Sequence, residues 1–266
     1  MIDLSLLKSK VTPVIKEAGT RIRNTVASPV HEKAGHYNFV TDTDVAIQEF
    51  LRTELMNLLP DARFFAEEQE NASLTNDFTW VVDPIDGTLN FMRERHFSCV
   101  SIALLKDRMP VMGLVYNPFT DELFSAIKGC GAFCNDKPIH VAENVFEKSL
   151  TTIGTSPYNA ELHKATVYCL EKFLTQGGDI RRTGSAALDL SDVASGRTDS
   201  FVELILSPWD FAAGALLVTE AGGIFDMPYN ENGIDFGKPA CIFASSKTTY
   251  QKALEIVMQA KELIEE

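Results

Sequence analysis

The run WVVDPIDGTLNF at residues 80–91 restricts this chain more than any other stretch, because it joins an apolar strand signal directly to two carboxylates, a glycine and a threonine. A fold that contains it has to set a strand end, a tight turn and the start of the next element side by side. Pro84 fixes one φ angle between Asp83 and Asp86. Gly87 lets the backbone approach a ligand closely or take a conformation closed to other residues. If a helix begins near Thr88, its free N–H groups and dipole face an anion, so phosphate sits there while the strand-side carboxylates hold cations. A hard cation such as Mg2+ takes oxygen ligands and is commonly held by one or two carboxylates together with a substrate phosphate.

A DxxDG run alone does not decide for that chemistry, since Asp-Gly often only makes a turn. Its company shifts the balance. Glu67 and Glu68 follow a strand signal at 64–66, and the run SPWDFAAG at 207–214 puts Asp210 at the start of a predicted helix. Four acids, Glu67, Asp83, Asp86 and Asp210, therefore fall at strand ends and helix starts, the pattern of a shared metal site.

Apolar residues at three- and four-residue steps from Leu7 to Val26 predict a long amphipathic helix with a bend at Pro13. A second helix carries Ile47, Phe50, Leu51, Leu55 and Leu58, with Thr43 or Asp44 as its cap and Pro60 beyond its end. Strand signals at 64–66, 80–83, 98–105, 111–116 and 122–127 predict a meandering antiparallel sheet. After Ser149, strands in TTIG, DIRR, SFVEL and CIFAS alternate with helices around 159–175, 185–195, 209–221 and 247–264, predicting a second sheet layered with helices. A boundary falls near residue 145, but no Pro/Gly/Ser-rich linker separates the halves, so the two subdomains pack tightly.

The 266 residues are 45% hydrophobic, ample for a substantial core. A net charge of -13 argues against a partner held by its nucleic-acid phosphates, which needs a basic face. The same charge repels a small phosphorylated substrate unless a bound divalent cation inverts the local field. Five scattered cysteines fit reduced thiols, no apolar run reaches membrane length, and the first ten residues lack a secretory h-region. The expected setting is cytoplasmic, with no membrane and no nucleic acid as partner. HEKAGH at 31–36 has one residue too many for a zinc-protease motif, and NENG at 230–233 lacks carboxylates at the end positions of a calcium loop. Arg181 and Arg182 offer charge to an anionic substrate, but paired arginines near a strand end more often make surface or interface ion pairs, and the interface is the reading preferred.

At this point the motifs match a known family. DPIDGTLNF at 83–91, PWDFAAG at 208–214 with VTEAGG at 218–223, and FAEE at 65–68 resemble the signatures of the inositol monophosphatase family, within the Mg2+-dependent, lithium-sensitive phosphatases. The resemblance runs from about Lys33 to about Ser245 in the same order and spacing, and GCGAFCN at 129–135 and RTGSAA at 182–187 look like family segments too. It implies an α/β (α+β) fold, a layered αβαβα sandwich forming a single domain over 1–266, with subdomains of about 1–145 and 146–266 and the metal site at their junction.

The resemblance also assigns roles. Glu67, Asp83 and the carbonyl of Ile85 hold one metal, and Asp83, Asp86 and Asp210 a second, with two or three Mg2+ per site and Mn2+ as a substitute. Thr88 and Glu67 orient and activate the attacking water, and Asp44 supports them. The amides of Gly87 and Thr88 hold phosphate oxygens, while Glu203, Asp210 and the amide of Ala187 meet the substrate. Lys33 aligns with a mobile-loop lysine, and Asn38 stands where many relatives carry an acid, which puts a third metal in doubt. The implied substrate is a small phosphorylated polyol or sugar, inositol 1-phosphate first, hydrolysed by a homodimer. Fructose-1,6-bisphosphatase, histidinol-phosphatase and NADP or nucleotide phosphatase activities on the same scaffold stay open, as does a non-catalytic metal- and phosphate-binding protein.

Overall fold

In the computed structural model, which describes residues 2–25, 30–32 and 39–265, an outer helical pair opens the chain. Helix α1 (Leu4–Asn24) is capped by Asp3, whose side chain accepts from the Leu6 N–H, and it continues through Pro13. Strands β1 (Val30–Glu32) and β2 (Phe39–Thr41) pair antiparallel and lead into α2 (Asp42–Leu58). The cap of α2 is Thr41, not Thr43 or Asp44. Asp42 and Thr43 are already helical, and Asp44 returns the Thr41 bond from the third helical position as a capping box.

A seven-stranded sheet follows: β3 (Arg63–Ala66), β4 (Thr79–Asp86), β5 (Cys99–Lys106), β6 (Met109–Asn117), β7 (Glu122–Ile127), β8 (Ala132–Cys134) and β9 (Lys137–Ile139), in that order across the sheet. It is a meander from β4 onward, but β3 runs parallel to β4, so the sheet is mixed rather than wholly antiparallel. Short helix α3 (Thr88–Met92) leaves the end of β4. The second half supplies β10 (Leu150–Ile153), α4 (His163–Gln176), β11 (Asp179–Arg181), α5 (Ala186–Ala194), β12 (Ser200–Leu206), α6 (Pro208–Glu220), β13 (Ile224–Asp226), β14 (Ala240–Ser245) and α7 (Tyr250–Glu265). Its five strands lie in the order β11-β10-β12-β14-β13, with the first three parallel.

Side-chain alternation explains the layers. On β4, Trp80 and Val82 face α1 and α2, whereas Val81 faces the opposite side, toward α5 and α6. Both faces are buried, which is why the strand reads as an unbroken apolar run. Helices α5 and α6 are packed between the two sheets, and α4 and α7 cover the outer face of the second, giving the αβαβα order the motifs implied. The central layer is tight because its contact residues are small: a Cβ on Gly113 of β6 would lie 2.9 Å from the Ala213 carbonyl oxygen, and one on Gly214 would lie 2.5 Å from Leu190 Cβ. This carries the start of α6 to the end of β4, and brings Asp210 to Asp83. No described helix is long and apolar enough to cross a membrane, and all five cysteines are free thiols.

Candidate active site

The end of β4 is shaped to expose oxygens. Pairing with β5 slips between Asp83 and Asp86, where Pro84 has no N–H to offer the ladder, and the Ile85 N–H turns onto Asp83 Oδ1 at 3.0 Å. Gly87 follows with φ of +85°, and a Cβ there would meet the Gly184 and Phe97 carbonyl oxygens at 3.1 Å. Conformation and space therefore both require glycine. The Thr88 hydroxyl lies within donating distance of the Ile85 carbonyl, at 3.0 Å, and of Asp44 Oδ1, at 3.2 Å. Asp44 is fully buried, and its other oxygen accepts from the Thr41 N–H at 2.8 Å and from the Thr41 hydroxyl.

Asp86 is held from the second half of the chain. Its Oδ2 accepts from the Ala187 N–H at 2.9 Å, from the Ser185 hydroxyl and from Cys99 Sγ at 3.7 Å. Asp210 sits in the first turn of α6, behind Pro208, and its Oδ2 accepts from the Ser207 N–H at 2.7 Å. Ligand oxygens of Asp83, Asp86 and Asp210 lie within 4.8 Å of one another, and Glu67 lines the same cleft.

Three carboxylates this close resist ionising together. Burial pushes the Asp83 carboxyl well above its ordinary range, and Glu67, Asp86, Asp210 and Asp44 push it further. Asp210 is raised well above its range by burial and then by Asp86 and Glu67. Burial also raises Asp86, against the lowering effect of its bonds from Ser185 and Ala187. An oxygen-only donor set of converging acids is what a hard divalent cation takes, and the cation relieves the repulsion, so these residues fit a metal.

Opposite the aspartates, the cleft of about 290 Å³ is walled by Gly154, Tyr158, Arg182, Glu203 and Leu206. Glu203 Oε1 accepts from the Ser156 N–H at 3.1 Å and hydroxyl at 2.9 Å. Ser156 makes both bonds from a left-handed φ of +37°, a strained conformation spent on positioning one carboxylate. Burial raises Glu203 to about 6, with the Ser156 bonds and Arg182 opposing it. The segment between Arg182 and Ser185 is tied down twice. Asn90 Nδ2 donates to the Phe97 and Thr183 carbonyls at 2.8 and 3.0 Å, and the Thr183 hydroxyl is in reach of both Asp189 oxygens.

Of the residues singled out in the sequence, Glu67, Asp83, Ile85, Asp86, Gly87, Thr88, Glu203 and Asp210 line this one cleft, and Asp44 reaches it through Thr88. The Ala187 N–H is engaged by Asp86 and the residue is fully buried, so its contact is with a carboxylate of the site. Both arginines are exposed, as the surface reading expected; Arg181 pairs with Asp179, at 2.6 Å, whereas Arg182 stands at the rim of the cleft. Lys33 and Asn38 lie outside the described residues. Ser185, Asn90, Asp189 and Ser156 had no assigned role, because their work is to orient other groups across the fold. The only hint was that Ser185 lies within RTGSAA and Asn90 within DPIDGTLNF.

The model of the inositol monophosphatase family matches residues 2–262. Inositol monophosphatase 2 of Solanum lycopersicum is 40% identical over 250 residues, covering 90% of this chain and 94% of its own. Among solved structures, the Thermotoga maritima IMPase superposes with a TM-score of 0.84 at 29% identity, over 95% of this chain and 96% of that one. A staphylococcal enzyme, SaIMPase-II, solved with inositol monophosphate and with 2'AMP, gives a TM-score of 0.83 at 26% identity, over 98% of this chain and 97% of that one.

Proposed function

Because the chain belongs to the inositol monophosphatase family, and is therefore a phosphoric monoester hydrolase, we propose that it hydrolyses a small phosphorylated alcohol, inositol 1-phosphate first, with Mg2+ as its cofactor. The observation that carries this reading is the convergence of Asp83, Asp86 and Asp210 from β4 and α6 onto one patch of cleft wall. Glu67, Asp83 and the Ile85 carbonyl would hold one cation, and Asp83, Asp86 and Asp210 another. When bound, such cations lower the pKa of water and offset negative charge on the reacting phosphate.

The chain's own groups supply the rest. Asp44 Oδ1, by accepting the Thr88 proton, leaves the Thr88 oxygen free to accept a hydrogen from the attacking water. The Glu67 carboxylate takes the proton that water gives up. The Gly87 and Thr88 amides face the phosphate oxygens at the turn into α3. Glu203, held by Ser156, accepts from a hydroxyl of the alcohol, which orients the ester for attack. No covalent phosphoenzyme is needed, so no serine or cysteine nucleophile is called for.

A solved relative binds both inositol monophosphate and 2'AMP, which supports a substrate range of small phosphate monoesters. The test is phosphate release from a panel of monoesters, with and without Mg2+ or Mn2+. Mg2+-dependent release, fastest from inositol 1-phosphate, is expected. A faster sugar bisphosphate, histidinol phosphate or NADP would replace the substrate named here, and no release from any ester would overturn the reading.

A further inference from the structure

Asp189 is an acid with one partner. It lines the cleft from the first turn of α5 and is 2% exposed. Among the described residues its carboxyl meets a single hydrogen-bonding group, the Thr183 hydroxyl, which stands 2.6 Å from Oδ1 and 2.7 Å from Oδ2. Each separation is that of a full O–H···O bond, yet Thr183 owns one hydrogen, and one hydrogen cannot point at both oxygens of a carboxyl group. The second bond needs a second hydrogen, and between these two groups only the carboxyl can carry it. An un-ionised Asp189 donates its O–H to Thr183 Oγ1 while its carbonyl oxygen accepts from the Thr183 hydroxyl, closing a ring of two hydrogen bonds.

The surroundings agree. Asp189 makes no ion pair among the described residues, and a buried carboxylate with one hydrogen and no cation is costly, so it takes up a proton instead. Burial holds its carboxyl well above the ordinary range against the opposing Thr183 bond, and Asp192 of its own helix, Glu203 of β12 and Asp86 of β4 raise it further. The amides that open α5, where the helix dipole favours an anion, are already engaged: the Ala187 N–H by Asp86 and the Leu188 N–H by Ser185 Oγ at 3.4 Å.

Resting on the phosphatase reading, we propose that Asp189 is a positioning residue that works as a neutral acid, its two-bond ring with Thr183 fixing the 183–185 segment against α5 and thereby the orientation of Asp86. The link is short. The Ser185 hydroxyl donates to Asp86 Oδ2, as does the Ala187 N–H at 2.9 Å, so a displacement at Thr183 reaches a metal-ligand position two residues on. The proton also keeps one negative charge out of a cleft that already gathers Glu67, Asp83, Asp86, Glu203 and Asp210. Asparagine offers the same pair of groups, an N–H donor and a C=O acceptor, and should replace Asp189; a role as ionised base or cation ligand would not survive that change.

The test uses the Mg2+-loaded chain with Asp189→Asn and Asp189→Ala. In infrared difference spectra at neutral pH, wild type minus Asp189→Asn should show the C=O stretch of an un-ionised carboxylic acid; carboxylate bands in its place would overturn the proposal. Asp189→Asn should keep both kcat/KM on inositol 1-phosphate and the calorimetric Kd for Mg2+ within about twofold of wild type, whereas Asp189→Ala, which breaks the ring, loses about tenfold in each. Equal losses in the two variants, or none in Asp189→Ala, would also overturn it. Thr183→Val breaks the same ring from its half-buried side and should lose as much as Asp189→Ala, which keeps the test decisive if the alanine variant does not fold. The infrared band and the Mg2+ titration need no turnover, so their expected results in a chain that hydrolyses no ester would overturn only the phosphatase reading.

Discussion

Gly154 and Glu203 are matched across the cleft wall: a Cβ on Gly154 would overlap the Glu203 carboxylate and come within 2.6 Å of its Cγ. The carboxylate has little freedom to retreat, because Ser156 holds Oε1 through both its N–H and its hydroxyl. Gly154→Ala should therefore turn Glu203 away from the alcohol. Its kcat/KM on inositol 1-phosphate is expected to fall about tenfold, the equivalent of ~1.4 kcal/mol. An ester with no hydroxyl for Glu203 to meet, such as p-nitrophenyl phosphate, should be affected less. Equal losses on both esters would show that the substitution disturbs the metal-binding wall instead.

Asn90 is the strut between the two walls. Its amide group satisfies the Phe97 and Thr183 carbonyls, and the residue is buried. Asn90→Ala leaves both carbonyls without that donor, at a cost of about 1–3 kcal/mol for each group left unsatisfied. A lower midpoint in urea is expected, together with a loss of turnover from the displaced 183–185 segment. Wild-type stability in the variant would mean that other donors reach those carbonyls.

The layers and the acids were legible in the sequence because they leave short-range signals. Strand β4 shows as an apolar run, α6 as a Pro-led helix with Asp210 in its first turn, and the acid-rich turns follow directly. What was not legible depends on distance along the chain. The cap of α2 was misplaced because Thr41, Thr43 and Asp44 offer similar side-chain oxygens, and only the completed capping box selects Thr41. The parallel pairing of β3 with β4 was missed because neighbouring strand signals do not carry direction. Ser185 meets Asp86 from 99 positions away and Asn90 meets Thr183 from 93, so their roles exist only once the halves are packed. Arg182 and Arg181 are adjacent, exposed and identical in type, and only the fold of the chain at Gly184 sets Arg182 at the cleft rim while Arg181 pairs with Asp179.

Asp210→Asn separates metal binding from folding. The amide oxygen of Asn can still accept from the Ser207 N–H, so the cap of α6 survives, while the mutual repulsion with Asp86 and Glu67 disappears. In EDTA the variant should melt at the wild-type temperature or above it. With Mg2+ it should show a much smaller rise in melting temperature, and its kcat should fall by about 10³ or more, a transition-state loss of ~4 kcal/mol. Near-normal turnover would remove Asp210 from the ligand set.

The raised carboxyls also fix how stability depends on pH. A carboxyl whose pKa is higher folded than unfolded favours folding while it is protonated; the benefit is complete below the unfolded pKa and lost as pH rises through the folded one. For Glu203 that window runs from its ordinary value of 4.5 to about 6, and Asp83 and Asp210 are shifted in the same direction. In EDTA the melting temperature should fall from pH 5 to pH 8, and fall less in Asp210→Asn. Mg2+ binds the ionised form, so it should stabilise more at pH 8 than at pH 5. At a hundredfold excess over its Kd the gain is about 2.7 kcal/mol, or roughly 5 °C for a chain of this size. Differential scanning fluorimetry at the two pH values measures both trends, and an Mg2+-induced shift that is equal at pH 5 and pH 8 would show that protons and cation do not compete for these carboxylates.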